Sequence, residues 1–156
     1  MKILILGGDG YLGWPTAMHF ANKGYEVLAV DNYSRRTIAM QTSSEALLDN
    51  ANLEERAAIF KEKSGKNIEV AIGDLQDHEF MSQIFIDFKP DAVVHYAEQP
   101  SAPYSMKGFQ EAKFTLNNNL NVTHNLIWCI LEHNPDCHIV KLGTMGEYGT
   151  PNIDIE

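Results

Sequence analysis

The sequence is poor in positive charge and contains no long apolar run. Its 12 lysines and arginines stand against 21 acidic residues, for a net charge of −9. No general basic field exists to hold the phosphates of a nucleic acid. No apolar stretch approaches the roughly 18 residues that a membrane-spanning helix requires. The composition therefore argues against a general nucleic-acid-binding protein and against a membrane-spanning one.

Cysteine is also scarce. Cys129 and Cys137 fit neither a C-x-x-C motif nor a disulfide framework, which favours a reducing compartment. A predicted strand follows Met1 almost at once, so we expect no signal or transit peptide and predict a cytoplasmic location. The six histidines do not form a metal-ligand set, and His95, inside a predicted strand, is interpreted as a core residue. We predict no metal.

Short apolar runs alternate with amphipathic segments along the chain. Strands are predicted at 2–6, 25–30, 67–72, 92–97 and 138–143, and helices at 11–23, within 34–66, at 77–88 and at 109–133. This alternation predicts one α/β domain, a doubly wound parallel sheet with helices on both faces. Ligands of such folds bind at the carboxyl ends of the strands. The segments to examine are 7–13, 31–36, 73–75, 97–107 and 143–149.

Glycines crowd the turn after the first strand. Gly7, Gly10 and Gly13 form a G-x-x-G-x-x-G pattern between strand and helix, and Asp31 ends the next strand. In this context Gly7 permits a tight turn, Gly10 lets the backbone approach a pyrophosphate, and Gly13 lets the helix pack closely on the sheet. The pattern predicts a dinucleotide site. The alternative is a glycine-rich turn without a ligand.

Charged residues after the second and third strands bear on the choice of dinucleotide. Asp31 is expected to accept hydrogen bonds from ribose hydroxyls, which favours NAD because a carboxylate repels a 2′-phosphate. Arg35 and Arg36 oppose this, since arginines can hold that phosphate; the alternative for both is a solvated surface. Asp74 is expected either to meet the adenine or only to cap the following helix.

Six segments, in this order, resemble the extended short-chain dehydrogenase/reductase family: GGDGYLGW (7–14), DNYSRR (31–36), GDL (73–75), AEQPSAPYSM (97–106), NNNL (117–120) and KLGTMGEYGTPNIDIE (141–156). The resemblance covers essentially the whole chain. It implies a Rossmann-like fold and an NAD-dependent epimerase/dehydratase. It also implies that residues 1–156 are the NAD-binding domain of a longer enzyme whose C-terminal substrate domain is absent here.

The resemblance assigns cofactor contacts residue by residue. The pyrophosphate, adenosine and nicotinamide parts of NAD would be met by Gly7, Gly10, Tyr11, Leu12, Gly13, Asp31, Asn32, Arg35 or Arg36, Asp74, Leu75, Ala97, Glu98, Gln99 and Asn118. The two most specific runs, around 98–106 and 143–156, imply UDP-glucose and sulfite as substrates. Within the family they are similar to members that make a sulfonated nucleotide sugar.

The implied reaction starts with oxidation of the glucose at C4. Water is then lost across C5–C6, sulfite adds at C6, and C4 is reduced again. Thr144 occupies the catalytic Ser/Thr position, and Glu147 is expected to move protons; the alternative for Glu147 is an exposed surface residue. The expected substrate contacts are Gln99, Ser101, Thr144, Met145 and Tyr148. The helix at 109–133 is a candidate homodimer face by family analogy.

The sequence departs from the family pattern in two places. Pro100 stands where related enzymes are expected to carry Arg, which puts anion capture there in doubt. The Tyr-x-x-x-Lys pair is absent, since Lys107 follows Tyr104 by three positions. The alternatives are therefore another nucleotide-sugar epimerase or 4,6-dehydratase, or a non-catalytic NAD-binding sensor.

Overall fold

The computed structural model describes residues 1–44 and 46–144, which form one parallel sheet flanked by helices. The spatial order of the strands is β3-β2-β1-β4-β5. The strands are β1 (Lys2–Leu6), β2 (Glu26–Asp31), β3 (Glu69–Ile72), β4 (Ala92–His95) and β5 (His138–Lys141). Because the chain winds outward from β1 in both directions, the predicted doubly wound α/β fold is confirmed.

Helices connect the strands and cover both faces. They are α1 (Gly13–Asn22), α2 (Ser34–Gln41), α3 (Leu53–Ser64), α4 (His78–Phe88), α5 (Ala102–Ser105) and α6 (Phe109–His133). The Asn52 side chain caps α3 through the backbone N–H of Glu55, and the Glu55 side chain returns a bond to the Asn52 backbone. Among the described residues, no helix is long and apolar enough to cross a membrane.

The central strand sends alternate side chains to opposite faces. Leu4 and Leu6 join the core on the side of α4 and α6, whereas Ile3 and Ile5 join the core beneath α1. These four side chains are at most 2% exposed. Full burial of such a side chain contributes about 1.5–3 kcal/mol each, so β1 anchors both layers.

The structure differs from the predicted elements after β4. This strand ends at His95, not at residue 97, because the Ala97 N–H turns back to the His95 ring and the Glu98 N–H bonds to the Tyr96 carbonyl. A short helix, α5, follows within residues 97–107, where the sequence pattern predicts no helix. Ser101 caps it by accepting from the Tyr104 N–H.

Candidate functional site

The turn between β1 and α1 is so tight that a side chain at Gly7 or Gly13 would clash with the backbone. Gly7 has φ +85°, and a Cβ there would lie 2.9 Å from the Tyr96 carbonyl carbon and the Ala97 nitrogen. A Cβ on Gly13 would lie only 1.9 Å from the Gly7 carbonyl oxygen. The start of α1 is thus pressed against the turn, at the carboxyl edge of the sheet.

The outer side of this turn is open and suited to an anion. Tyr11 is 92% exposed and Leu12 is 44% exposed. Leu12 occupies the N-cap position of α1, where its apolar side chain caps no backbone N–H, and the first turn of α1 holds no acidic residue. The dipole of α1 therefore favours a negatively charged group at this end of the helix. A Cβ on Gly10 would lie 3.2 Å from the Gly7 carbonyl oxygen, a tight contact that only a small shift of the turn would relieve.

Asp31, the last residue of β2, faces this turn. One carboxylate oxygen accepts from the Asp9 N–H at 2.9 Å and the other from the Tyr33 N–H at 2.8 Å. Burial raises the pKa of Asp31, and these two hydrogen bonds oppose the rise. Each carboxylate oxygen retains capacity for another bond, so the group is oriented for hydroxyl donors such as those of a ribose.

The two arginines after β2 have different surroundings. Arg36 donates to both oxygens of Asp9 at 2.8 Å and to the carbonyls of Asn50 and Ala51, so it is not a solvated surface residue. Arg35 is exposed. Asn32 accepts from the Ser34 N–H and thereby shapes the start of α2.

The residues after β3 are placed as follows. Asp74 is exposed and accepts from the Gln76 N–H at 2.9 Å. It does not cap α4, because Asp77 does so by accepting from Glu79 and Phe80; the capping alternative for Asp74 is wrong. Leu75 is 4% exposed and belongs to the core, and its carbonyl oxygen accepts from the Asn125 side chain at 3.1 Å.

A neutral hydrogen-bond network fixes the chain after β4. Asn119 accepts from the Gln99 N–H at 2.8 Å and donates to the Gln99 carbonyl at 3.2 Å. Asn118 is 6% exposed and donates to Asn119 and, at 3.5 Å, to the Ala97 carbonyl. Ala97 and Gln99 are therefore held at the carboxyl edge by α6.

His95 belongs to the same network and is fully buried, as predicted for a core residue. Its Nδ1 accepts from the Ala97 N–H at 3.2 Å, so Nε2 carries the proton and faces the Thr123 hydroxyl at 3.3 Å. Burial lowers the pKa of His95 to about 4. The ring is neutral at pH 7 and orients the backbone at Ala97.

A cavity of 290 Å³ links the residues after β2 to those after β4. Its lining includes Arg35, Gln99, Ser101, Tyr104 and Lys107. The Ser101 N–H donates to the Gln99 side chain at 2.6 Å, which rigidifies this wall. The structure thus brings one expected adenosine residue and two expected substrate residues into one cavity.

The far end of the crevice lies after β5. Lys141 pairs with Glu98 at 2.5 Å, which ties β5 to the segment after β4. Thr144 is exposed, three residues beyond the strand. The expected site residues Met145, Glu147 and Tyr148 lie outside the described residues.

Four residues of this edge are not among the predicted site residues: Asp9, Tyr33, Arg56 and Asn119. Asp9 lies inside the glycine motif, at a position that the G-x-x-G-x-x-G pattern leaves unspecified. Its two arginine partners are 27 and 47 positions away. Asn119 lies in the Asn-Asn-Asn run at 117–119, and a helix pattern does not say which of these three residues faces the crevice.

The strand order, the glycine turn and the acidic end of β2 define the class of doubly wound, Rossmann-like α/β proteins. The sequence matches the family described as "NAD dependent epimerase/dehydratase family" over residues 3–156. The chain belongs to this family.

Two curated relatives are similar to the chain over nearly its whole length. The chain is 46% identical over 155 residues to the chloroplastic UDP-sulfoquinovose synthase of Spinacia oleracea, covering 99% of this chain and 32% of that protein. It is 44% identical to the UDP-sulfoquinovose synthase of Sulfolobus acidocaldarius, covering 99% and 39%. The chain thus spans about a third of the length of these relatives.

Among solved structures, the UDP-glucose 4-epimerase of Bifidobacterium longum in complex with NAD+ and UDP is similar, with TM-score 0.76 and 25% identity over 98% of this chain and 40% of that one. The family resemblance and NAD as the family's cofactor are therefore confirmed. The relatives are NAD-dependent nucleotide-sugar enzymes, as the sequence analysis expected. One relative is named as chloroplastic, so the cytoplasmic location stays a prediction.

Proposed function

We propose that the protein acts as a UDP-sulfoquinovose synthase, which forms UDP-sulfoquinovose from UDP-glucose and sulfite. The observation that carries this proposal is the identity to two enzymes of that name across 99% of the chain. The crevice at the carboxyl edge of the sheet supports it, since the glycine turn and Asp31 suit a dinucleotide.

The coenzyme would lie across this edge. The backbone of Gly7, Gly10 and Gly13, flanked by Tyr11 and Leu12, would border the pyrophosphate. The ribose hydroxyls would donate to Asp31 beside Asn32, and the adenine would lie near Asp74 and the Leu75 backbone. Ala97, Gln99 and Asn118 would border the nicotinamide half. When bound, NAD supplies reversible oxidation at C4 of the sugar.

The substrate side would be formed by Gln99, Ser101, Thr144, Met145 and Tyr148. The Thr144 hydroxyl would hydrogen-bond the C4 oxygen and orient it. In a 4-keto sugar the C5 proton is acidified, and Glu147 would remove it during loss of water across C5–C6 and return a proton after sulfite adds at C6.

The test is to incubate the full-length gene product with NAD, UDP-glucose and sulfite and to identify products by mass spectrometry. We expect a sulfonated nucleotide sugar that is absent when sulfite is omitted. Formation of UDP-galactose or a 4-keto-6-deoxy sugar without a sulfonated product would instead establish an epimerase or a 4,6-dehydratase. Binding of NAD with no sugar product at all would favour the non-catalytic sensor.

A matched pair of variants tests the role of Thr144. Thr144→Val removes the hydroxyl at constant shape and is expected to lower the turnover rate by roughly 100-fold, as loss of a hydrogen-bond donor at a reacting oxygen does. Thr37→Val removes an exposed hydroxyl on α2 and should leave turnover unchanged. Equal activity of both variants would contradict the assignment.

We also propose that the full-length protein forms a homodimer through α6. Exposed apolar side chains follow one another along this helix at Leu116, Leu120, Ile127 and Leu131, each at least 48% exposed. Leu120→Asp is expected to convert a dimer to a monomer in analytical ultracentrifugation. Ile59→Asp, at an exposed position of α3, should not. A Leu120→Asp variant that remains dimeric would exclude this face.

A further inference from the structure

A carboxylate inside the glycine turn holds two arginines. Asp9 pairs with Arg36 at 2.8 Å and, through the same oxygen that accepts from the Arg36 Nη2, with Arg56. The Asp9 side chain is 9% exposed, that of Arg36 34% and that of Arg56 19%. The three groups form a largely desolvated cluster, in which charges interact more strongly than at a surface.

This cluster adjoins the end of β2. The Asp9 N–H donates to Asp31, and the Arg36 guanidinium lies 5.3 Å from the centre of the Tyr33 ring, whose own N–H donates to Asp31. The negative charges of Asp9 and Asp31 therefore lie close to the positive charges of Arg36 and Arg56. Asp31 is the carboxylate expected to receive the ribose.

From this geometry we infer that Asp9 is a specificity-determining residue, which excludes NADP by occupying the two arginines that would otherwise hold a 2′-phosphate. The inference rests on the proposed binding of a dinucleotide at this edge. It explains how a chain with arginine at position 36 can still prefer NAD.

The physical reason is the geometry of guanidinium groups. Arginine presents a planar set of N–H donors that suits phosphate oxygens as well as carboxylate oxygens. In this structure Arg36 directs Nε and Nη2 at Asp9, while Nη2 also donates to the Ala51 carbonyl and Nη1 to the Asn50 carbonyl. A 2′-phosphate would find these donors already engaged and two carboxylates nearby.

Arg56 also has a donor that Asp9 does not engage. Its Nε is buried without a hydrogen-bond partner among the described residues, and its guanidinium lies 5.0 Å from the centre of the Trp14 ring. Without the Asp9 charge, the cluster would carry an uncompensated positive charge and unpaired donors, and both conditions favour a phosphate.

A purely structural role for Asp9 predicts a different result. If Asp9 only attached the α2–α3 region to the turn, removing its charge would weaken NAD and NADP binding alike. The ratio of the two affinities therefore separates specificity from scaffolding, whereas stability or activity alone would not.

The experiment measures dissociation constants for NAD and NADP by isothermal titration calorimetry on the full-length protein and three variants. Asp9→Asn keeps an accepting oxygen and removes the charge. The double variant Asp9→Asn/Arg36→Ala also removes one freed arginine. Glu62→Gln removes an equal charge from an exposed position of α3 and serves as the control. Thermal denaturation with each coenzyme gives a second readout of binding.

We expect Asp9→Asn to shift the affinity ratio towards NADP by about tenfold or more, the scale of one charge-assisted hydrogen bond. The double variant should lose most of this gain, and Glu62→Gln should match the parent. If the Asn variant does not fold, Asp9→Ser gives the same test. An unchanged ratio in a folded variant that binds NAD overturns the inference alone. Failure of the parent protein to bind either coenzyme overturns the proposed function and this inference together.

Discussion

The two ends of the crevice are built from different chemistry. The charged end consists of Asp9, Asp31, Arg36 and Arg56, in which ion pairs fix the turn after β1 and the end of β2. The neutral end consists of His95, Gln99, Asn118 and Asn119, in which amides and an unprotonated imidazole fix the chain after β4.

The difference teaches how one sheet edge can serve two kinds of contact. Buried charges discriminate strongly between ligands that differ by a charge, because interactions in a desolvated site are weakly screened. Neutral amides and an imidazole hold the backbone after β4 in place without adding a charge of their own, and the Lys141–Glu98 ion pair lies beside them. The charged end is thus suited to selecting a coenzyme, and the neutral end to positioning.

The largest effect is expected at the glycine turn, where Gly7 lies against Tyr96 and Ala97 of the segment after β4. Gly13→Ala places a Cβ 1.9 Å from the Gly7 carbonyl oxygen, so α1 must move away from the turn. We expect a loss of about 3 kcal/mol or more in the free energy of unfolding, measured by urea denaturation.

Gly24→Ala is the matched control for this substitution. Gly24 has φ +87° but no atom within 4 Å of the Cβ position, so the variant carries backbone strain without a clash. Its cost is expected near 1 kcal/mol. If Gly13→Ala cost no more than Gly24→Ala, the close packing of α1 on the turn would be refuted.

The next-largest effect tests His95, at the neutral end, and depends on pH. The pKa of His95 is about 4 in the folded state because of burial, against about 6.5 when unfolded. The unfolded chain therefore binds a proton first, and the stability due to neutral His95 is present above pH 6.5 and is lost as the pH falls towards 4. His95→Gln should reduce this acid-dependent loss by roughly 2 kcal/mol, read from urea midpoints at pH 7 and pH 4.5.

At the charged end, the change of stability with pH that is due to Asp31 has the opposite sign. Burial raises the pKa of Asp31, so the folded state binds a proton before the unfolded chain does. The contribution of Asp31 to the free energy of unfolding therefore increases as the pH falls. Because Asp31 is present in both proteins, its contribution cancels in the comparison with His95→Gln. If His95→Gln lost as much unfolding free energy between pH 7 and pH 4.5 as the parent does, His95 would not be the titrating group.

The smallest effect concerns the support of the charged end. The Tyr33 hydroxyl donates to Glu54 at 2.6 Å and accepts from the Leu53 N–H at 2.9 Å, which fixes α3 beside β2. Tyr33→Phe should cost about 1 kcal/mol of unfolding free energy, the usual net value of a hydrogen bond. Tyr25→Phe, on the surface, should cost close to nothing, and equal effects of the two variants would contradict this role.

Much of the fold could be predicted because it depends on local patterns. The apolar runs located all five strands, and the pattern at 109–133 gave the bounds of α6. The pattern failed at residues 97–105, where a ring nitrogen and a capping serine redirect the backbone. The charged end was found only in part, since glycine spacing identifies a turn but not the distant arginines that Asp9 holds.

The most direct test of the account is the affinity of NAD for the charged end. Isothermal titration calorimetry would compare the full-length protein with Asp31→Asn and with Asp87→Asn, an exposed position of α4. The account predicts that Asp31→Asn weakens NAD binding by about tenfold or more, since hydrogen bonds to a charged group are lost, while Asp87→Asn binds as the parent does. An unchanged affinity in folded Asp31→Asn would contradict it.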